Sequence, residues 1–191
     1  MRIDTLHKNK DITLSFEVFP PKTAATYASV LEAVERLSNG QPDYISVTYA
    51  AGGGTSKNSL DIASHIQNKL GTTALAHLSC VSSSRAEIAG IIGELANNSI
   101  ENILALRGDI IPGADFPSGV NYRYAYQLIS DMKKTGKFCV GAACYPEGHA
   151  ESHNKEQDIE YLKMKVDSGC DFLVTQMFFD NSILYSFLYN A

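Results

Sequence analysis

Apolar, β-branched-rich residues fall in six short runs along the chain: Thr13–Phe19, Tyr44–Tyr49, Thr73–Ser79, Asn102–Leu106, Phe138–Tyr145 and Phe172–Gln176. The runs are apolar on both faces rather than alternating, the pattern of strands in a parallel sheet covered by helices. Between them the apolar spacing changes to that of a helix. Tyr27, Val30, Leu31, Val34 and Leu37 follow the spacing of one buried helix face, as do Ile88, Ile91, Ile92 and Leu95, and more loosely Ile159, Leu162 and Val166. Ser84, with Glu87 three residues on, predicts a capping box at a helix start. Strand starts recur about every 30 residues, the length of one βα unit. Six such units predict an α/β protein, either a doubly wound sheet or a (β/α)8 TIM barrel. A complete barrel takes about 250 residues, and this chain has 191, ending within an apolar helical segment, Ile183–Leu188. The expectation is one domain over residues 1–191, holding about the first six βα units of a truncated barrel.

Charge narrows the function. With 16 basic against 21 acidic side chains, a net charge of −5 and no Lys/Arg block, neither a nucleic acid nor an anionic membrane surface is an expected partner. No apolar run approaches the ~20 residues of a membrane span. The opening MRIDTLHKNKD is polar, unlike a signal or transit peptide, which predicts a cytoplasmic protein. Cys80, Cys139, Cys144 and Cys170 form no CxxC pair and no zinc-ligand spacing, so reduced core thiols and no metal are expected.

In parallel α/β folds, ligands bind at the carboxyl ends of the strands, and here each strand delivers polar residues to that end. Glu17 sits between Phe16 and Val18, and the second run closes on Thr48-Tyr49. The third carries His77, and the fourth runs into Arg107-Gly108-Asp109. The fifth ends in Tyr145-Pro146-Glu147 and the sixth in Thr175-Gln176. Each has a plainer reading: a rim carboxylate for Glu17, a core histidine for His77, strand-end caps for Tyr145 and Gln176, a turn residue for Asp109. For Glu17, the flanking Phe16, Val18 and Phe19 predict desolvation that raises its pKa, as a general acid requires. The Gly52-Gly53-Gly54 loop is a weak phosphate signal, because no GxGxxG or GK[ST] spacing accompanies it.

Six ordered segments then resemble one family, the flavin-dependent methylenetetrahydrofolate reductases. They are Ser15–Lys22, Ser46–Tyr49, Ala76–Cys80, Ala105–Asp109, Ala143–Glu147 and Thr175–Asp180. The resemblance implies a (β/α)8 barrel that holds FAD at the carboxyl ends of its strands. It implies reduction of methylenetetrahydrofolate to methyltetrahydrofolate, in the one-carbon metabolism that serves methionine biosynthesis. NADH, NADPH or another donor would reduce the flavin. It assigns Glu17 as the general acid that protonates the folate nitrogen, Asp109 as a carboxylate that stabilises the resulting iminium cation, and Gln176 as a hydrogen-bonding partner of folate. Thr48, Tyr49, His77, Leu106, Arg107, Gly108, Asp109, Tyr145, His149, Asp158 and Lys165 fall where the family contacts FAD, and Ala143 matches a backbone contact. A homo-oligomer, or work with a separate subunit, is also implied. The loop Ala50–Gly54 departs from the family, whose relatives have a shorter glycine run there and include charged residues. Two other readings stand beside this one. The first is a non-catalytic flavin-binding module whose barrel a partner chain completes. The second is an unrelated barrel lyase or aldolase, disfavoured because no strand end carries an internal lysine or a metal-ligand triplet.

Overall fold

A computed structural model describes residues 1–21, 23–49, 53–110, 117 and 120–191. Six strands, β1 (Ser15–Val18), β2 (Tyr44–Val47), β3 (Thr73–Ser79), β4 (Asn102–Leu106), β5 (Cys139–Cys144) and β6 (Phe172–Thr175), form one sheet. All neighbours are parallel and the spatial order equals the chain order. That order separates the two sheet topologies left open by the sequence: a doubly wound sheet reverses direction at a switch point, and this sheet does not. It curls as about six units of a (β/α)8 barrel. The helices are α1 (Ile3–Asn9), α2 (Tyr27–Asn39), α3 (Gly53–Ser64), α4 (Arg85–Asn97), α5 (Ala125–Lys134), α6 (Lys155–Asp167) and α7 (Asn181–Asn190).

Strand alternation sorts the side chains into two cores. One face carries Val18, Ile45, Val47, Ala76, Leu78, Ile103, Ala105 and Val140 into the helix layer, where they meet Val34, Ile62, Ile88, Leu128 and Met132. The inner face buries Leu75, Leu104, Cys139 and Phe172. Gly141 belongs to this packing, since a Cβ there would stand 2.5 Å from the Phe172 ring. The four thiols are free, and burial pushes Cys80 up to about 12 and Cys139 and Cys144 up to about 11, so they stay protonated at neutral pH.

The polar opening segment folds into a helix the sequence pattern did not predict. α1 closes the amino end of the half-barrel, burying Ile3 and Leu6 against Leu75, Leu104 and Phe172. The fully buried Asn102 fixes it, accepting from the Ile3 amide at 2.8 Å and donating to the Met1 carbonyl at 3.0 Å. The capping box on α4 forms as predicted, with Glu87 N–H donating to Ser84 Oγ and Ser84 N–H to Glu87 Oε2. The predicted stripe on α6 needs one correction. Ile159 and Leu162 pack against Cys144 and Phe187, but Val166 lies 48% exposed. Among the described residues no helix is long and apolar enough to cross a membrane.

Candidate active site

With the amino end closed, the inner face opens at the carboxyl ends of the strands into a cleft of about 1100 Å³. Leu106, Gly108, Asp109, Tyr49, Gln176 and Ala143 line it together with the groups described below. Thr48 does not; its amide donates to Val18 O (3.0 Å) and its carbonyl accepts from Ser59 Oγ (3.0 Å), tying β1 and α3 to the strand end. Ala50, Ala51 and Gly52 of the glycine loop lie outside the described residues, while Gly53 and Gly54 belong to α3.

Glu17 projects from the inner face of β1, opposite Ser46 in register, with Ser46 Oγ 3.4 Å from Oε2. Its side chain is 49% exposed. The apolar setting expected from its neighbours in sequence is therefore not what surrounds it. Alternation sends Val18 into the helix layer, and Phe19 itself is solvent-exposed. His77 Nε2 stands 3.8 Å from Glu17 Oε2, beyond hydrogen-bond range. The His77 side chain is only 9% exposed, and burial pulls its pKa down to about 4, so it presents a neutral imidazole at neutral pH.

At the end of β4 the chain turns sharply, and the amides of Cys80 and Val81 clamp the Arg107 carbonyl at 3.1 and 2.8 Å. Gly108 makes the turn possible: its φ is +86°, and a Cβ would come within 3.0 Å of Ser79 Cβ. The turn delivers Asp109 to the cleft on one side and Arg107 on the other. Arg107 Nη1 and Nη2 each meet a Glu151 carboxylate oxygen at 2.6 Å, and Nε donates to Gly108 O at 3.0 Å.

The far wall belongs to β5 and α6. Lys165 Nζ donates to Ala143 O at 2.8 Å, and burial holds its pKa below the usual lysine range. The Tyr145 ring meets His149 edge-to-face at 4.7 Å, and burial first, then the nearby Asp109, raises its phenol. Asp158 accepts from the His149 amide (3.3 Å) and Ser152 Oγ (3.0 Å), which fixes the loop above the cleft. At the sixth strand end, Gln176 N–H donates to Cys144 O at 2.8 Å and leaves its exposed side chain on the rim.

The sequence reading missed an aromatic wall. Tyr124 stacks on Tyr126 (5.9 Å, 14°) and on Tyr161 (5.6 Å, 21°), and all three line the cleft. The signals were present: aromatics alternate in Tyr122–Tyr126 across a helix start, and Asp158, Tyr161 and Lys165 share one helical face at spacings of three and four. Glu151 was missed as well, and nothing in its local sequence marks it. Among the described residues no group of three or more His, Cys, Asp or Glu side chains could hold a metal ion.

Residues 2–190 match the family model for methylenetetrahydrofolate reductase. The chain belongs to that family. It is 37% identical over 169 residues to 5,10-methylenetetrahydrofolate reductase of Salmonella typhimurium, covering 88% of this chain and 56% of that enzyme. Against methylenetetrahydrofolate reductase (NADH) 1 of Arabidopsis thaliana it is 34% identical over 200 residues, covering 98% of this chain and 34% of the plant protein. The chain thus spans about half or less of these reductases' own length. Among solved structures, it resembles a Clostridium thermocellum protein that binds two copies of 5-methyl-5,6,7,8-tetrahydrofolic acid, with a TM-score of 0.62. That likeness, at 14% identity over 98% of this chain and 62% of the other, concerns the fold alone.

Proposed function

We propose that this chain carries the flavin- and folate-binding part of a reductase that converts methylenetetrahydrofolate to methyltetrahydrofolate. The observation that carries the reading is that one cleft gathers Glu17, His77, Asp109 and Gln176 with Arg107, Tyr145 and Lys165, in a chain of this family. The residues fit FAD. Arg107 and Lys165 suit its diphosphate, the neutral His77 and the Ala143 carbonyl suit its polar ring edges, and the tyrosine wall suits a flat ring. The cleft, at about 1100 Å³, lies at the top of the ~300–1000 Å³ range usual for one ligand, the size a ligand as large as FAD requires.

In this reading the Glu17 carboxyl donates its proton to the folate ring nitrogen. The carbon–nitrogen bond of the five-membered ring then opens, leaving an iminium cation. Asp109, lining the same cleft, is the carboxylate placed to balance that charge. When bound, reduced FAD supplies the hydride that converts the iminium carbon to a methyl group. Because Glu17 is half exposed, the covering pterin is what would strip water from it. A nicotinamide as source of the flavin's electrons is supported by the name of the Arabidopsis relative. Four unpaired thiols support a reducing, cytoplasmic setting.

The test is an anaerobic visible spectrum of the FAD-loaded chain before and after methyltetrahydrofolate. Bleaching of the oxidised flavin band is expected. Glu17→Gln should lower folate-dependent bleaching by about 10²-fold or more while flavin binding persists; loss of flavin on that change overturns the role given to Glu17. A second reading has its own support, because the sheet edges at β1 and β6 expose Leu14, Leu173 and Phe179. There the chain holds flavin but needs a further chain segment, a second copy or a partner subunit over those edges for folate chemistry. Bound flavin without bleaching would favour it.

A further inference from the structure

Arg107 is the guanidinium placed to meet an anion in the cleft, yet three of its five N–H donors, the paired Nη face among them, are in use. Both Nη atoms hold Glu151 at 2.6 Å and Nε holds a backbone carbonyl. Lys165 is likewise engaged on Ala143 O. Around these two cations the cleft lines up four carboxylates, Glu17, Asp109, Glu151 and Asp158. Among the described residues, an incoming anion therefore meets an acidic lining and an Arg107 whose bidentate Nη face is already taken. The geometry of the pair is informative. A guanidinium presents two parallel N–H groups that accept a carboxylate or a phosphate in the same bidentate manner. Glu151 offers Arg107 the face a ligand anion would offer. The two partners also differ in exposure to solvent: the Arg107 side chain is 15% exposed, that of Glu151 52%. Glu151 can turn into water at little desolvation cost, whereas Arg107 has nowhere else to go.

We propose that Glu151 is a built-in stand-in for an anionic ligand group, holding the Arg107 fork until a phosphate or carboxylate of the ligand displaces it. The inference rests on the reading of the cleft as a flavin and folate site. Those ligands give two sources for the anion, the diphosphate of FAD and the glutamate tail of folate. Because Arg107 in turn holds Glu151 below the usual carboxylate range, the stand-in stays charged at neutral pH and is removed by competition.

The experiment compares wild type, Glu151→Gln and Glu151→Gln/Arg107→Met by equilibrium binding. The ligands are FAD against riboflavin, methyltetrahydrofolate against its diamide with both tail carboxylates blocked, and inorganic pyrophosphate. Glu151→Gln should tighten a charged ligand about tenfold, the scale of one charge-assisted hydrogen bond. The uncharged analogue should be unmoved, and the gain should vanish in the double variant. A response confined to FAD names the diphosphate; one confined to methyltetrahydrofolate names the tail. Equal or weaker binding of both charged ligands by Glu151→Gln overturns the proposal while leaving the flavin reading intact. If no variant binds flavin or folate, that reading fails and pyrophosphate decides. Tightening in Glu151→Gln keeps the stand-in, and no response ends it.

Discussion

At the residue scale, His77 couples the site to stability. A histidine whose folded pKa is about 4, against the ordinary 6.5, binds its proton less readily in the native state. Its stabilising contribution is thus fully present above pH 6.5 and is lost as pH falls toward 4. Between pH 7 and pH 5 this one residue should cost about 2 kcal/mol. Urea midpoints at the two pH values check this, and His77→Gln should flatten the difference by that amount. An unchanged difference would mean that other groups dominate. Glu17 and His77 also mark the limit of reading a strand from its sequence. Neighbours in a strand point to opposite faces, so the residues flanking Glu17 describe the helix layer, not the environment of its carboxylate. His77, whose burial comes from β2 and β4 beside it, could be placed on the inner face by the same alternation, but how deeply was not legible.

At the element scale, what the sequence announces depends on periodicity. Six strands apolar on both faces and helices with clean stripes were readable because burial imposes the pattern on every turn. α1 was not, since seven residues with only Ile3 and Leu6 buried leave no period to detect. Its stability comes from tertiary docking, which sequence-local rules do not contain. That docking can be tested. Asn102→Leu leaves the Ile3 amide and the Met1 carbonyl without their partner, and the expected cost is about 1–3 kcal/mol. Hydrogen exchange should localise the change to α1 and the amino ends of β3 and β4, with the upper cleft protected as before. Global loss of protection instead would show that α1 is part of the cooperative core. The aromatic wall on α5 and α6 was hidden for another reason. Tyr124, Tyr126 and Tyr161 come from two elements, and only the fold brings their rings into one stack.

At the scale of the whole molecule, the half-barrel has two outer strands, and among the described residues β1 and β6 each pair with one neighbour. Leu14, Leu173, Phe179 and Tyr189 are exposed along those sides. Unpaired strand edges with apolar flanks invite association. The chain alone should self-associate in a concentration-dependent way, and Leu173→Lys with Phe179→Ser should shift sedimentation toward the monomer. A monodisperse monomer before any substitution would show that the edges are inert. That the chain is a run of six βα units was legible from end to end, and the barrel through the family resemblance, whereas the pairing of Arg107 with Glu151 across 44 residues was not, because a surface carboxylate carries no sequence mark of the cation it will find.

The docking of α1 also has a consequence in time. Its contacts reach forward along the chain, from Ile3 to Asn102 and from His7 to the ring of Phe172 at 5.7 Å. During synthesis α1 leaves the ribosome ahead of the six described strands and has no completed seat until β6 has followed it. The earliest helix in the chain is among the last to be placed. A tag or fusion joined before Met1 would sit at the sealed floor of the barrel, where it would slow that final closure without standing in the path of anything entering the mouth.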